Sequence, residues 1–172
     1  MKYCPMCAHP ITYQIPLNDN RHRFICSKCQ YIHYDNPKII VGILPYYKNQ
    51  ILLCQRAIDP GYGLWTIPSG FMECDETVED GARREAFEEV GIHCESLYLF
   101  VIYSLPKISQ VYMLFLTELP SEDYSIGTET LDAQFYMFDK IPWNHIAFSV
   151  VRFSLEKFIN HYPITKHKLF IR

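Results

Sequence analysis

The chain has 172 residues, of which 49% are apolar, and it carries 16 Lys and Arg against 19 Asp and Glu, a formal net charge of −3. This composition excludes global disorder, and the length suits one medium domain or one domain with a small appendage. A net charge so close to zero argues against a protein that wraps nucleic acid, although it leaves a local basic patch open. The longest apolar stretch, residues 39–47, is about half as long as a membrane-spanning helix, so we expect no membrane partner.

The chain has seven cysteines, and its first residues contain no apolar segment of the kind found in signal peptides. An odd number of cysteines without an export signal indicates reduced thiols or metal ligands rather than a disulfide framework. We therefore expect a cytoplasmic protein. Three scattered cysteines, Cys54, Cys74 and Cys94, are interpreted as small buried thiols.

The other four cysteines form two CxxC pairs, Cys4 with Cys7 and Cys26 with Cys29, and 18 residues separate the pairs. Each pair offers two thiolates from one tight turn, and two such turns can close a tetrahedron around a structural Zn²⁺. The alternative is four unrelated reduced cysteines. Residues 1–34 are too few and too polar to hold a core without a metal, which favours the zinc site.

Beyond this segment the pattern predicts mixed strands and helices. Asn36-Pro37 marks its end, and Thr77 and Gly91 are the N-cap and the C′ residue of a helix of about 13 residues. Such a mixture predicts an α+β or α/β sandwich, with a zinc ribbon in residues 1–34 and a second domain in residues 35–172. The other predicted elements are strands over residues 38–44, 51–56, 65–68, 95–104, 109–118 and 133–138, and a closing helix over residues 146–160.

The predicted helix is strongly acidic, since nine of the 19 acids lie between residues 73 and 95. Glu85, Glu88 and Glu89 stand at positions i, i+3 and i+4 and so share one face. Like charges at this spacing destabilise a helix by about 0.2–0.5 kcal/mol per pair. A solvated surface is the ordinary interpretation of such a face. The alternative is a site for hard divalent cations, with carboxylate oxygens as ligands and Mg²⁺ or Mn²⁺ as the ion.

The pattern around these glutamates favours the metal site. Residues 70–92 consist of Gly70, five residues, Glu76, seven residues and then REAFEEVGI at positions 84–92. These residues fill every fixed position of a 23-residue signature, so the segment resembles the Nudix box. Ala86 and Ile92 occupy its apolar positions. The resemblance implies an α+β fold, the Nudix α/β/α sandwich with a mixed sheet, here preceded by a small zinc ribbon. It also implies hydrolysis of a nucleoside diphosphate linked to another moiety.

The resemblance implies a role for each residue of the box. Glu85 and Glu89 would be primary ligands of Mg²⁺ or Mn²⁺, Glu88 a ligand or base, and the carbonyl of Gly70 a further ligand. Arg84 would orient a catalytic glutamate through a bidentate pair. Metals held in this way neutralise a polyanionic pyrophosphate and lower the pKa of bound water.

Residues outside the acidic face complete the predicted site. Glu76 is expected to be a structural acid that supports the ligands. In such enzymes a further glutamate often comes from a distant loop, and Glu129 is the candidate, with Asp132 or a merely solvated acid as the alternatives. Arg56 is a candidate phosphate contact, with a surface ion pair as the alternative. Three aromatic candidates could stack on a base or a flavin ring, or belong to the core: Trp65, Phe71 and Tyr103.

The resemblance covers residues 1 to about 158. The cysteine pairs and the segments 32–38 (IHYDNPK), 64–72 (LWTIPSGFM) and 141–143 (IPW) together resemble ribbon-bearing Nudix hydrolases, a group similar to plant FAD pyrophosphatases and more distantly to bacterial NADH pyrophosphatases.

The chain departs from this pattern in two places. The glycine that often follows each CxxC pair is replaced by Ala8 and Gln30, which is expected to strain both turns. The run SQPWPFP that marks NADH pyrophosphatases is absent, and residues 104–110 read SLPKISQ instead. This departure lowers the rank of NADH as a substrate.

The leading functional hypothesis is therefore a metal-dependent pyrophosphatase that acts on FAD or ADP-ribose and releases a nucleoside monophosphate. The alternatives are hydrolysis of NADH or of a nucleotide cap on RNA, and a regulatory protein that binds nucleic acid through its zinc ribbon. Five cations against two acids in residues 1–38 favour the last alternative, but an intact catalytic box argues against it. We expect a nucleotide-type small molecule as the substrate rather than nucleic acid, and we leave a homodimer open.

Overall fold

The computed structural model describes the backbone of residues 1–172 and all side chains except those of residues 164 and 165. The chain divides into an N-terminal unit, Met1–Pro37, and a C-terminal unit, Lys38–Arg172. The domain limits of 1–34 and 35–172 remain a prediction. Among the described residues, no helix is both long and apolar enough to cross a membrane.

Both units contain β-strands, and the C-terminal unit also contains two α-helices among its described residues. The strands are β1 (Ile11–Gln14), β2 (Arg23–Cys26), β3 (Ile32–His33), β4 (Lys38–Tyr47), β5 (Gln50–Arg56), β6 (Trp65–Thr66), β7 (Ser69–Phe71), β8 (Tyr98–Leu105), β9 (Gln110–Glu118), β10 (Thr130–Met137) and β11 (Phe170–Ile171). The helices are α1 (Val78–Val90) and α2 (Ser149–His161).

The N-terminal unit is a three-stranded antiparallel sheet in the order β1-β2-β3. Its buried apolar residues are few, namely Cys4, Ile25 and Cys26 among those described. Ala8 and Gln30 adopt φ values of 55° and 60°, in the left-handed region that favours glycine. The strain expected at these two positions is therefore present, and the unit has little core of its own to offset it.

The C-terminal unit contains a mixed sheet in the order β10-β5-β4-β9-β8-β11, with the short strands β6 and β7 attached to β5 and β4. β4 pairs with β9 in parallel along nine residue pairs, whereas it meets β5 as an antiparallel hairpin at Tyr46 and Tyr47. The mixed sheet of the sequence prediction is confirmed.

Both faces of this sheet are covered, one by each helix. Val41 and Ile43 of β4 pack in a cluster with Ala82, Ala86 and Val90 of α1. Leu44 and Tyr46 of β4 point to the other face of the sheet. They pack in a second cluster with residues of α2, namely Val151, Leu155 and Phe158. This arrangement is the predicted α/β/α sandwich.

The strand expected over residues 65–68 ends at Thr66 and is followed by β7, which was not predicted, and β8 begins at Tyr98 rather than at residue 95. Two further differences concern the second helix and the last strand. The second helix begins at Ser149 rather than at residue 146, because Ile146 bridges to Trp65 and the Ala147 N–H donates to the Trp65 carbonyl at 2.8 Å. The short strand β11 was not predicted, and it pairs in parallel with β8. Both differences come from long-range pairing, which a local pattern does not contain.

Candidate active site

Helix α1 is fixed at both ends by local signals. The Asp80 N–H donates to Thr77 Oγ1 (3.1 Å) at the N-cap, and Gly91 closes the C-terminus in the left-handed conformation with φ 64°. The last turn contains Glu88 and Glu89 but no basic residue. Acids at the negative end of a helix are unfavourable. Such a local conflict is typical of a functional site.

The glutamates of α1 line a cleft of about 920 Å³ in the C-terminal unit. This volume lies in the range of small-molecule sites. The cleft has an acidic part, a cationic part and an apolar part. The acidic part is Asp59, Glu73, Glu85, Glu88, Glu89 and Glu129; the cations are Arg56 and Arg84; the large apolar and aromatic residues are Ile40, Ile58, Phe71, Leu105, Ile108, Tyr112 and Phe148.

Glu89 is the most buried acid of the cleft, with 9% of its surface exposed. Its Oε2 accepts a hydrogen bond from the Ser69 N–H at 3.1 Å and one from the Cys54 thiol at 3.6 Å. Burial raises the pKa of Glu89 to about 7, and the charge of Glu85 acts in the same direction. The carboxyl group can therefore gain or lose a proton near neutral pH, and Oε1 is its oxygen without these two donors.

Arg84 holds three carboxylates with one guanidinium. It donates two hydrogen bonds to Glu76 (2.8 and 3.0 Å), one to Glu85 (2.7 Å) and one to Glu88 (3.1 Å). The bidentate partner is thus Glu76, whereas the bidentate pair was expected with a catalytic glutamate; Glu85 and Glu88 each receive one bond. These bonds lower the pKa of Glu76 to about 2, so it stays ionised and fixes the arginine.

Gly70 lies directly against Glu85. A Cβ atom at Gly70 would stand 2.4 Å from the Glu85 carboxyl group, so no side chain fits there without displacing it. Burial raises the pKa of Glu85 despite its hydrogen bond from Arg84. The glycine therefore keeps a half-buried carboxylate beside the backbone of β7.

The loop before β10 docks on the C-terminal end of α1. The Ser125 N–H donates to the Val90 carbonyl and the Gly127 N–H to the Glu89 carbonyl, both at 3.0 Å. A Cβ atom at Gly127 would lie 1.8 Å from the Glu88 carbonyl oxygen, so the contact requires glycine. These bonds satisfy helix carbonyls that otherwise lack partners.

This docking brings Glu129 to the cleft. Its carbonyl accepts a hydrogen bond from the Ala57 N–H at 2.9 Å, and its exposed side chain lines the same cleft as the glutamates of α1. Asp132, the alternative, lies in β10, where its Oδ1 accepts from the Ala133 N–H at 2.8 Å. The sequence shows only a glycine in a polar loop and contains no signal for the docking itself.

Two of the predicted substrate contacts line the cleft. Arg56 donates from Nε to the Pro60 carbonyl at 2.8 Å, and its guanidinium lies 5.0 Å from the Phe148 ring centroid. Phe71 has 49% of its surface exposed, and the Lys38 ammonium lies 5.2 Å from its ring centroid. Both side chains are therefore available to a ligand.

The other two predicted substrate contacts, Trp65 and Tyr103, belong to the core or pack against it instead. Trp65 packs edge-on against Tyr136 with centroids 5.1 Å apart, and Tyr103 is 5% exposed and packs against Phe153. Both contact the cluster between the sheet and α2. Tyr112 and Phe148 are aromatic residues of the cleft that sequence reasoning missed.

The four cysteines of the N-terminal unit form one cluster. The Sγ–Sγ distances are 3.6 Å from Cys4 to Cys29, 3.5 Å from Cys7 to Cys26 and 3.5 Å from Cys7 to Cys29. A tetrahedral zinc with Zn–S bonds of about 2.3 Å requires sulfurs about 3.8 Å apart, so the thiols fit this ion. The predicted zinc ribbon is thus compatible with the fold of the unit.

The acidic face fits a different kind of ion, because its donors are hard carboxylate oxygens, which suit Mg²⁺ or Mn²⁺. Among the described side chains, only the four cysteines bring three or more ligand atoms within 4.8 Å of one another. Glu85 and Glu88 are instead drawn to Arg84, while Glu89 is held by the Ser69 N–H. The metal roles of these glutamates remain predictions.

Known families match both units. Residues 36–152 match the family described as the NUDIX domain, and residues 2–35 match the zinc ribbon described as the Nudix N-terminal domain.

Individual proteins agree with these matches. The chain is 33% identical over 145 residues to the NAD-capped RNA hydrolase NudC of Vibrio parahaemolyticus, covering 83% of this chain but 53% of that protein. The chain thus spans about half the length of the curated relatives it matches. A crystal structure of a NUDIX hydrolase from Nitrosomonas europaea has a TM-score of 0.94 and 43% identity, covering 99% of this chain and 97% of the other. An ADP-ribose pyrophosphatase from Streptococcus suis shares the fold, with a TM-score of 0.66 and 20% identity over 80% of this chain and all of the other.

Proposed function

The chain belongs to the Nudix hydrolase family, and on this premise we propose that it hydrolyses the pyrophosphate bond of a nucleoside diphosphate linked to another moiety. The leading substrates are ADP-ribose and FAD. One observation supports this proposal above the others. Glutamates from one face of α1 and from the docked loop line a single cleft whose remaining lining is largely apolar and aromatic.

The charge of the cleft explains why divalent ions are needed. Six carboxylates line the cleft against Arg56 and Arg84, and Arg84 is already bonded to three acids. A polyanionic pyrophosphate would be repelled from such a site unless cations offset both sets of charges. Glu85, Glu88, Glu89 and the Gly70 carbonyl are the residues that would hold Mg²⁺ or Mn²⁺. When bound, such an ion polarises a phosphoryl oxygen and lowers the pKa of water.

The chain's own groups then have distinct tasks. Glu88, which lines the cleft from the exposed side of α1, can accept a proton from an attacking water. Glu129 is the alternative base, since it faces the same cleft from the loop. Water adds to one phosphorus while the bond from that phosphorus to the bridging oxygen breaks. The products are a nucleoside monophosphate and the phosphate of the other moiety.

The apolar part of the cleft would bind the rest of the substrate. Phe71, Tyr112 and Phe148 offer ring faces to a base or flavin, and aromatic stacking of a base is worth about 1–3 kcal/mol. Arg56 lies beside Phe148 and can meet a phosphate oxygen. A substrate that joins a ring system to a pyrophosphate would use the apolar part of the cleft for the ring and the acidic part, with its metal ions, for the pyrophosphate.

A nicotinamide-dinucleotide cap on RNA is the second candidate substrate. It is favoured by the name of the curated relatives, NAD-capped RNA hydrolase, although this chain matches only about half of their length. We also propose a reducing compartment such as the cytoplasm, because none of the seven cysteines forms a disulfide in the structure. A homodimer remains a prediction.

A substrate screen tests the proposal. ADP-ribose, FAD, NADH and NAD-capped RNA would each be incubated with the zinc-loaded protein and Mg²⁺ or Mn²⁺, and the products identified by mass spectrometry. We expect a nucleoside monophosphate from ADP-ribose or FAD, and at least a 100-fold loss of turnover in Glu88→Gln. Glu79→Gln, an exposed acid on the same helix outside the cleft, is the matched control and should retain activity. Undiminished turnover in Glu88→Gln, or cleavage that needs no divalent ion, would overturn the proposal.

A further inference from the structure

Three cysteines lie outside the thiol cluster of the N-terminal unit. Cys54 and Cys94 are buried, as the sequence predicts, whereas Cys74 is exposed. Cys54 lies in β5 with 2% of its surface exposed, and both buried thiols belong to the apolar cluster between the sheet and α1. Cys54 is the one of these two that lies against an acid of the cleft.

The thiol of Cys54 donates to the carboxyl group of Glu89. Its Sγ lies 3.6 Å from Glu89 Oε2, and the same oxygen accepts from the Ser69 N–H at 3.1 Å. Two donors on one oxygen restrict the rotation of the carboxyl group about its last side-chain bond. They also leave the other oxygen, Oε1, for a different partner.

The Cys54 thiol has a second acceptor within reach. The Thr66 carbonyl also lies 3.6 Å from its Sγ, and a thiol has one proton to donate. A carboxylate is the stronger of the two acceptors, because hydrogen bonds to an ionised group are about twice as strong as those between neutral groups. A thiol in apolar surroundings keeps its proton, so Cys54 remains a donor. Donation to the ionised Glu89 is therefore favoured.

We propose that Cys54 is a positioning residue of the pyrophosphatase, whose thiol holds Glu89 so that Oε1 is presented to a divalent cation. This role rests on the proposed function, in which Glu89 is a ligand of Mg²⁺ or Mn²⁺. Cys54 acts through Glu89 rather than on the substrate. Removing a hydrogen-bond partner of a metal ligand typically costs about 10- to 100-fold in metal affinity or activity, and a thiol is a weak donor, so we expect the lower end.

Two substitutions of Cys54 separate donation from packing. Cys54→Val keeps an apolar side chain of similar size and removes the donor. Cys54→Ser keeps a donor but places a smaller and more polar group in an apolar cluster. If the thiol only fills space, Val is the better replacement, whereas Ser is the better one if the thiol positions Glu89. The two roles thus predict opposite orders.

Manganese binding and steady-state kinetics measure this order on the full zinc-loaded chain. Binding of Mn²⁺ without substrate is followed by the paramagnetic resonance signal of the free ion, and turnover is measured with ADP-ribose or FAD, whichever is cleaved faster. Cys54→Val should weaken Mn²⁺ binding about 10-fold and lower kcat by a similar factor, with KM for the nucleotide little changed. Cys54→Ser should lie between the wild type and Cys54→Val in both measurements.

Cys94 provides the matched control, because it is a second buried thiol in the same apolar cluster. Its thiol meets Thr117 of β9. Cys94→Val should therefore bind Mn²⁺ and turn over substrate like the wild type. A loss in this variant equal to that of Cys54→Val would show that the cluster as a whole, rather than the contact with Glu89, supports the site.

The hydrogen bond can also be observed apart from catalysis. The S–H stretching band that Cys54→Val removes from the infrared spectrum belongs to Cys54. At pH 8 and without divalent ions, Glu89→Gln should move this band to higher wavenumber, because a neutral amide is a weaker acceptor than a carboxylate. A band that does not move would overturn the proposal at its geometric basis.

The kinetic results can overturn the proposal in two further ways. One is a Cys54→Val protein that binds Mn²⁺ and turns over substrate like the wild type, and the other is a Cys54→Ser protein that is more impaired than Cys54→Val. A wild type that neither binds Mn²⁺ nor cleaves either nucleotide would overturn the proposed function, and the role of Cys54 with it. The infrared band does not depend on turnover, so the two failures are distinguishable.

Discussion

Replacing Glu89 by Gln should stabilise the protein while it abolishes activity. The pKa of Glu89 is about 7 in the folded protein, compared with its ordinary value of 4.5. A raised pKa means that the folded state disfavours the ionised carboxylate, so the wild type loses stability as the pH rises from 4.5 through 7. At pH 8 the loss in the free energy of unfolding amounts to about 3 kcal/mol, whereas at pH 5 it is less than about 1 kcal/mol. Gln carries no charge and avoids this loss.

Thermal unfolding followed by circular dichroism measures the effect. In buffer without added divalent metal, Glu89→Gln should melt roughly 5–10 °C above the wild type at pH 8 and close to it at pH 5. A strong chelator is avoided because it would remove zinc from the cysteine cluster. Adding about 10 mM Mg²⁺ at pH 8 should stabilise the wild type more than the variant, since the cation favours the ionised carboxylate.

Glu79→Gln is the control for this comparison, because Glu79 is an exposed acid in the first turn of the same helix. Its melting temperature should differ little from that of the wild type at either pH. If Glu89→Gln melted at the same temperature as the wild type at pH 8, or if its gain were the same at pH 5 and pH 8, the ionised Glu89 carboxylate would not destabilise the folded protein.

Three further substitutions test other parts of the structure. Arg84→Lys loses the bidentate pair with Glu76 and should lower kcat by roughly 10- to 100-fold with little change in zinc content, as steady-state kinetics would show. Gly127→Ala places a Cβ against the Glu88 carbonyl and should cost about 1–3 kcal/mol of unfolding free energy in a urea titration; an unchanged midpoint would contradict the docked loop. Ala8→Gly relieves a left-handed φ of 55° and should stabilise the N-terminal unit by about 1 kcal/mol, seen as slower transfer of zinc to a coloured chelator.

The parts of the fold that local signals define were predictable. Helix α1 was expected between Thr77 and Gly91 and spans Val78–Val90. Its two ends are predictable because the N-cap residue and the C-terminal glycine stand directly beside the helix in the sequence. The shared face of Glu85 and Glu89 follows from helix geometry alone. These signals need no knowledge of the rest of the chain.

Features that depend on long-range contacts were not predictable in the same way. The identity of an aromatic residue does not show which side of the sheet its side chain occupies. Tyr103, a candidate substrate contact, lies in the core, whereas Tyr112 and Phe148 line the cleft and were not predicted there. The bidentate pair of Arg84 is made with Glu76, which precedes the helix and lies outside its periodicity. These positions are set by sheet pairing and loop docking, which compose the cleft from separate segments.

In the proposed function, the acidic face of α1 holds the divalent ions of a pyrophosphatase. The most direct measurement is anomalous diffraction at the manganese edge from crystals that contain Mn²⁺ and a non-hydrolysable methylene analogue of ADP-ribose. We expect manganese peaks within coordination distance of the Glu85 and Glu89 carboxylates, in contact with the phosphates of the analogue. Manganese bound elsewhere, or an analogue bound in the cleft with no ion beside these glutamates, would contradict it.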